Sequence, residues 1–550
     1  MPRLSRAFPL LFLAACGGGG GGSASTIPPV APVTPTVPTT YAVSVAKASG
    51  NVEARLACYH TGAPALCQLR TYQVMVESFV DGDAAANFNV GYGPSPHRGD
   101  LQGVINSLDY IKSTGVNALW LTPIFLSASA PGQDNAASRL DATGYFATDY
   151  FKIDPRFGTL AQARTLVDEA HKRGLYVFFD GVFGHHKDTG VAPSPSGLLP
   201  AGGHDPVDYS APATLAYYQE VATYWVKELK IDGWRLDQAY QVPTSAWSAI
   251  RASVEQASQQ VSYTNAGGAS VHPLAYMVAE LWKSESEIAA TGYGSTDKPV
   301  LASAFDFPMR YRLVRTLASD EDGFANQGAT YLASGWGGQL AYPDHAAPNL
   351  MLGNHDLPRF GDLIQRAGLG NPDGSDYWAR HKMAFTFMAA YSGPVTMYYG
   401  EEIGQEMPNF AARVTSNCVE LGLCDDHVSR DAGVVDGVAG AALNSNQRDL
   451  KNYVARLFAL RTTNPALATG SRTHVFDDNV IYIDRKDSGS NHVLLVMNVK
   501  AQAAVVTLDA AVAGGAASLH DLASDADLAA DAKGQFTINL PALSARLLRF

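Results

Sequence analysis

No run of about 18 consecutive apolar residues occurs in the chain, so nothing in it reads as a membrane-spanning helix. Basic runs are also missing. Lys and Arg number 40 against 52 Asp and Glu, a net charge of −12, and nucleic-acid backbones call for a positive stripe. Nucleic acid is therefore excluded as the main partner. Cysteine is scarce: five in 550 residues cannot build a disulfide scaffold, and the odd number asks for an explanation. No glycine-rich nucleotide fingerprint follows the first candidate strand, which counts against a doubly wound dinucleotide-binding sheet and against an organic cofactor of that kind. What is present is 46% hydrophobic and 10% aromatic residues, enough for a large core, and a length that suits three to four units of about 150 residues.

The N-terminus accounts for the fifth cysteine. Arg3 and Arg6 precede the short apolar run 7–15, which ends Leu13-Ala14-Ala15 before Cys16. That is a secretory signal, and a cysteine directly after Leu-Ala-Ala resembles the lipobox of bacterial lipoproteins. Residues 1–15 are then the signal peptide, and Cys16 the lipidated first residue of a tether over 16–45. The tether is six glycines, Gly17 to Gly22, followed by a Pro/Thr/Val stretch. Gly17 after the cysteine resembles outer-membrane sorting, so the expected location is the bacterial envelope, facing the periplasm or the surface. The membrane is reached through the lipid only. The four remaining cysteines fall into two close pairs, Cys58 with Cys67 and Cys418 with Cys424. Local pairing is the simplest of three connectivities, and the absence of clustered histidines argues against zinc.

After an approach segment at 46–68, short apolar β-branched runs alternate with amphipathic helical patterns. Eight strand–helix repeats over 69–468 predict an α/β fold, a (β/α)₈ barrel. The segment 185–212, rich in Gly, Pro, Ser and His, reads as a short insertion after the third strand. From 469 to 550 alternating runs between turn residues predict a C-terminal antiparallel β-sandwich.

Four candidate barrel strands end in an acid: Asp180, Asp237, Glu280 and Asp356. A buried parallel strand has no reason to finish on a carboxylate unless that end meets a polar pocket. One such acid is usually a helix N-cap; four at the face where barrel sites lie, with His185, His355 and Arg235 beside them, form a site. Converging carboxylates suit glycosidic bond cleavage. A metal site is the competing chemistry, but Arg235 points to the same side of its strand as Asp237, would keep it ionised and would repel a cation.

These segments resemble the α-amylase family of glycoside hydrolases. Asp180-Gly-Val-Phe-Gly-His185, Gly233-Trp-Arg235-Leu-Asp237, Glu280-Leu-Trp282 and Asn354-His355-Asp356 are similar to its four signatures. Gly144-Tyr145 and the run after it, and Pro394 to Glu402, are similar to flanking family segments. Asp-Leu-Pro-Arg359 leans to the neopullulanase and cyclomaltodextrinase branch and to lipid-anchored amylases. The resemblance implies Asp237 as nucleophile, Glu280 as acid and base, and Asp356 as the holder of sugar hydroxyls. It implies Tyr145, Asp180, His185, Arg235, His355 and Arg359 as substrate-binding residues, with Tyr145 stacked under the ring. The implied activity is retaining hydrolysis of α-1,4-glucosidic bonds in starch-derived glucans, maltooligosaccharides or cyclodextrins. A transglycosidase or isomerase acting on sucrose or maltose, and a non-catalytic glycan-binding lipoprotein, are the alternatives.

Two departures stand out. Gly184 occupies the place of a family Asn that ligates calcium, and glycine has no side chain to do so. By contrast, Asp81-Gly-Asp83-Ala-Ala-Ala-Asn87 resembles a calcium loop of neopullulanase-like members, with oxygen ligands at close spacing around a glycine. Tyr240 and Gln241 stand where endo-amylases carry Lys-His, so the leaving-group side of the cleft differs. Oligomeric state leaves no mark in the sequence.

Overall fold

The computed structural model describes residues 40–50, 55–60, 62–88, 90, 94–127, 141–407 and 428–550. The expected signal peptide, Cys16 and most of the tether lie outside them.

Eight short parallel strands carry the site: β1 (Arg70–Val74), β2 (Ala118–Leu121), β3 (Tyr176–Gly181) and β4 (Gly233–Leu236). They continue as β5 (Tyr276–Ala279), β6 (Ser303–Ala304), β7 (Leu350–Met351) and β8 (Val395–Tyr398). Each pairs with its sequence neighbour, β8 returns to β1, and a parallel bridge between Phe305 and Asn349 joins β6 to β7. The ring is closed, as the eight repeats predict.

The period of two along each strand decides what faces the lumen. Ala118, Trp120, Phe178, Tyr276, Val278 and Met351 pack together inside the barrel. Their alternates Leu119, Val177, Phe179, Trp234, Leu236, Met277 and Ala279 pack outward against the helices. Carried to the C-terminal ends of the strands and one residue beyond, that alternation puts Asp180, Arg235, Asp237 and Glu280 on the lumen side at one rim. Helices Leu101–Ser113, Leu160–Lys172, Pro212–Leu229 and Thr244–Gln259 follow the first four strands. Their starts are set locally. Asp100 accepts from the Gly103 amide at 2.7 Å, Thr159 and Gln162 form a reciprocal cap, and Pro212 opens the third helix. Among the described residues no helix is long and apolar enough to cross a membrane.

The insertion 185–212 is irregular, as expected: a bridge between His204 and Val207 and turns such as the Ser194 amide on the Leu198 carbonyl at 2.9 Å precede helix Pro212–Leu229. Of the two expected disulfides, Cys58–Cys67 is formed, buried beside Ala347 just before β1. The other expected pair, Cys418 with Cys424, lies outside the described residues. The C-terminal region is a two-sheet sandwich. Six antiparallel strands between Ser471 and Arg549 form one sheet. Val475, Ile483, Val496 and Leu548 of that sheet meet Val506, Phe536 and Ile538 of the other. One boundary is corrected here. The tether expected through residue 45 ends earlier, because Tyr41–Val45 is a strand paired in parallel with Ala504–Asp509. Its side chains alternate between half-buried and exposed, ending on buried Val45, so it closes an edge of the second sheet rather than crossing the molecule as a linker.

Candidate active site

Arg235 organises the rim. Its Nη1 donates to both oxygens of Asp180, at 2.8 and 3.0 Å, and to Asp237 Oδ1 at 2.8 Å. Its Nη2 lies 2.7 Å from Glu280 Oε1. The guanidinium is fully buried and rests over the Trp120 and Tyr145 rings. Sequence spacing pairs Arg235 with Asp237 alone; the structure shows one cation shared by three carboxylates from β3, β4 and β5. A shared cation is the efficient solution, since each buried carboxylate alone would carry a heavy desolvation cost.

The two central acids are held differently. Asp237 is anchored through Oδ1, while its Oδ2 is buried without a hydrogen-bond partner. His185 Nε2 stands 3.9 Å from that oxygen. Glu280 accepts from the Gln238 amide through Oε2 at 3.0 Å. Burial pushes its pKa up to about 8 against the opposing pull of Arg235, and the Asp237 and Asp356 charges add to the rise. Burial thus favours the protonated form of Glu280, beside an Asp237 with a free oxygen.

The remaining predicted residues fall around this pair. The Tyr145 hydroxyl donates to Asp180 Oδ2 at 2.9 Å and lies 2.6 Å from His355 Nε2; the two rings are nearly parallel, 5.3 Å apart. The Gln73 amide sits 2.7 Å from His355 Nδ1. Burial lowers the His355 pKa to about 3, so this imidazole stays neutral. Asp356 accepts from Arg430 at 2.7 Å, and its Oδ2 lies 3.3 Å from His355. Burial would raise the Asp356 pKa, but the Arg430 and Arg235 guanidiniums hold it below the usual carboxylate range. Arg359 is not brought onto the carboxylates. It is buried, donates to Asp431 Oδ1 and the Tyr399 carbonyl, both at 2.7 Å, and so braces the loop that carries Arg430.

Sequence reasoning missed Gln73, Trp120 and Arg430. Trp120 Nε1 donates to Asp180 Oδ2 at 3.1 Å from the lumen side of β2. A lone Gln within β1 was the available signal for Gln73; Arg430 sits in a loop with no local pattern at all. At the outer lip, Trp282 stacks on Phe307 at 5.1 Å and is 44% exposed, and Tyr240 is 51% exposed. Two large exposed aromatics next to the acid and the nucleophile suit contact with a flat, apolar sugar face.

The loop after β1 carries the oxygens expected for calcium. Asp81 is exposed, Asp83 Oδ1 accepts from the Ala85 amide, and Asn87 Nδ2 donates to the Ala84 carbonyl. Asn87 Oδ1 is buried with no partner, which is what a hard cation would satisfy. Among the described residues no group of three His, Cys, Asp or Glu is set to hold a metal. The two aspartates fit calcium only together with Asn87 and main-chain oxygens. At Gly184 no side chain is present to act as a ligand, and the Gln241 side chain fills the space: a Cβ there would come 2.3 Å from Gln241 Oε1.

The alpha-amylase catalytic-domain family model matches residues 73–191 and 203–467. The chain belongs to the α-amylase family. A cyclomaltodextrinase of Thermoanaerobacter pseudethanolicus is 26% identical over 475 residues, covering 80% of this chain and 71% of that one. Neopullulanase 2 of Thermoactinomyces vulgaris is 29% identical over 379 residues, covering 60% and 56%. A crystal structure of AmyP in complex with maltose is 54% identical with a TM-score of 0.85, covering 88% of this chain and 96% of that chain. The four family signatures supply the acids that meet at Arg235 and Arg430, and the chain is an α-amylase-family glycoside hydrolase.

Proposed function

We propose that the protein hydrolyses α-1,4-glucosidic bonds of starch-derived glucans, maltooligosaccharides or cyclodextrins with retention of configuration. The single observation that carries this is the Asp237 Oδ2 left buried and unpartnered at the rim, beside Glu280, whose burial favours its protonated form. Both acids touch one guanidinium, which supports the close carboxylate pair of a retaining enzyme.

In the first step Glu280 gives its proton to the glycosidic oxygen as the bond to the anomeric carbon breaks. Asp237 Oδ2 forms the new bond to that carbon, giving a glycosyl ester. In the second step Glu280, now ionised, takes a proton from water, the water oxygen attacks the anomeric carbon, and Asp237 leaves as a carboxylate. Arg235 stays bound throughout and spreads the negative charge as it moves between the acids. Asp356, with Arg430 behind it, accepts from sugar hydroxyls, and the neutral His355 and Tyr145 complete the same wall. Asp81, Asp83 and Asn87 would hold calcium, which supplies fixed positive charge that ties the loop after β1 together.

Asp237 and Glu280 on one guanidinium, with Asp356 held by Arg430, support a catalytic reading over a non-catalytic glycan binder. We also propose attachment to the bacterial envelope through lipid on Cys16, supported by the Leu13-Ala14-Ala15-Cys16 pattern and the glycine tether. An oxidising compartment would also suit a second local disulfide, Cys418–Cys424; peptide mapping of the unreduced protein tests it, and free thiols at both positions overturn it. A product profile on starch, pullulan, cyclodextrin, maltose and sucrose tests the activity. Short maltooligosaccharides or glucose from the α-1,4 substrates support it; conversion of sucrose or maltose to isomers, with no hydrolysis of glucans, overturns it. Metabolic labelling with a fatty acid, lost in Cys16→Ser, tests the anchor.

A further inference from the structure

We propose that Gln241 is a positioning residue that fixes the tautomer of His185, and with it the hydrogen-bonding role His185 presents to the sugar beside Asp237. Gln241 ends the short turn Ala239–Gln241 after the nucleophile strand. Its Nε2 donates to Asp205 Oδ1 at 3.2 Å, and its Oε1 lies 3.0 Å from His185 Nδ1. An ionised carboxylate only accepts, so Asp205 decides which end of the amide faces it. The oxygen end is left for His185, and an amide oxygen also only accepts. His185 therefore carries its proton on Nδ1, and Nε2 keeps a lone pair.

That lone pair faces the reaction centre. Nε2 is 3.9 Å from the free Asp237 Oδ2, too far for a hydrogen bond between them. The neutral Nε2 is an acceptor for a hydroxyl of the sugar bound there. The ring is held by packing: His185 is buried and tilted against Phe146 at 5.6 Å, while the Tyr150 hydroxyl fixes its main chain through the carbonyl at 2.8 Å.

Gly184 belongs to the same device. A Cβ on residue 184 would meet Gln241 Oε1 at 2.3 Å and Gln241 Cβ at 2.5 Å, so only glycine leaves the glutamine its place. The two departures noted in the sequence are one arrangement: the side chain lost at 184 is replaced by one arriving from 241. It also ties the insertion to the rim, alongside the Val207 amide on the Gly184 carbonyl at 2.9 Å and the Tyr209 hydroxyl on the Phe183 carbonyl at 2.8 Å.

The inference deepens the proposed function and rests on it for the claim that a sugar hydroxyl meets His185. The test uses the full chain labelled with ¹⁵N histidine, at a pH above the histidine titration, with His185→Gln assigning the signals. Nδ1 of His185 is expected to be protonated in the wild type, and Gln241→Met to give a mixture of tautomers. Kinetics should show kcat/KM on maltooligosaccharides falling about 10- to 100-fold in Gln241→Met, the usual cost of losing a partner that orients a working histidine. Gly184→Ala should show the same tautomer change. Gln241→Glu combined with Asp205→Asn restores an acceptor for His185 and a donor opposite it. That double variant should return to within about threefold of wild type, whereas Gln241→Glu alone, which keeps the shape but sets two carboxylates against each other, should not. An Nε2-protonated His185 in the wild type, or an unchanged tautomer in both Gln241→Met and Gly184→Ala, overturns the proposal. Because the tautomer is read without turnover, failure of the glycosidase reading would leave this result standing, and the reverse also holds.

Discussion

Arg235 holds one carboxylate oxygen of Asp237 at 2.8 Å and leaves the other buried with no partner. A carboxylate pinned at one oxygen and free at the other is oriented for attack without rotating. Arg235→Ala should remove that orientation and strand three buried carboxylates together. Arg235→Lys keeps the charge but loses the planar fork that reaches both Asp237 and Glu280. Steady-state kinetics should show kcat lower by at least about 100-fold in both variants, since each misplaces a reacting group. Wild-type kcat in Arg235→Lys would mean that the shared fork is unimportant.

If Glu280 is the general acid, it sets the alkaline limit of activity. Its pKa is raised to about 8, chiefly by burial, so the general acid is present below that value and lost above it. The pH profile of kcat/KM should therefore fall as pH rises through about 8. Glu280→Gln should lower turnover by about 10²–10⁴ and abolish that limb. A limb that persists in the variant would assign it to another group.

Calcium is tested by stability rather than turnover. If Asp81, Asp83 and Asn87 hold the ion, a chelator should lower Tm, because a ligand bound only by the folded state stabilises it. Asn87→Ala should start from the lower Tm and respond no further to the chelator. Equal chelator responses in the two proteins would place any bound calcium elsewhere.

Lys486 gives a stability prediction far from the site. Its ammonium is buried without a hydrogen-bond partner between the Tyr59 and Trp336 rings, where barrel and sandwich meet. Burial brings its pKa from 10.5 down to about 7. The folded state thus resists the charged form. The penalty grows as pH falls from the ordinary lysine value to the lowered one, at about 1.36 kcal/mol per pH unit crossed. Lys486→Met, which fills a similar volume without charge, should have a Tm advantage that increases down to about pH 7 and is then constant. Thermal melts on both sides of that pH check this, and an advantage that grew with rising pH would contradict it.

The sequence made the catalytic acids legible because each ends an apolar strand, where a carboxylate has no other reason to stand. The barrel followed from the same alternation. What it hid has physical reasons. Arg235 was legible as a partner of Asp237, but its contacts with Asp180 and Glu280 depend on barrel curvature, which no spacing encodes. Arg430 reaches Asp356 from a loop with no periodic pattern. Tyr41–Val45 looked like the end of a tether, since a five-residue edge strand gains its identity only from Ala504–Asp509, far along the chain. Gly184 and Gln241 were each visible as departures, and only their contact shows that they compensate.

The most direct test of the central claim follows the anomeric proton of the first product by NMR during cleavage of an α-1,4-linked maltooligosaccharide. Attack by Asp237 followed by attack of water inverts the anomeric carbon twice, so the α-anomer should be released first and mutarotate afterwards. Initial release of the β-anomer would mean a single displacement by water, and would contradict a covalent intermediate on Asp237.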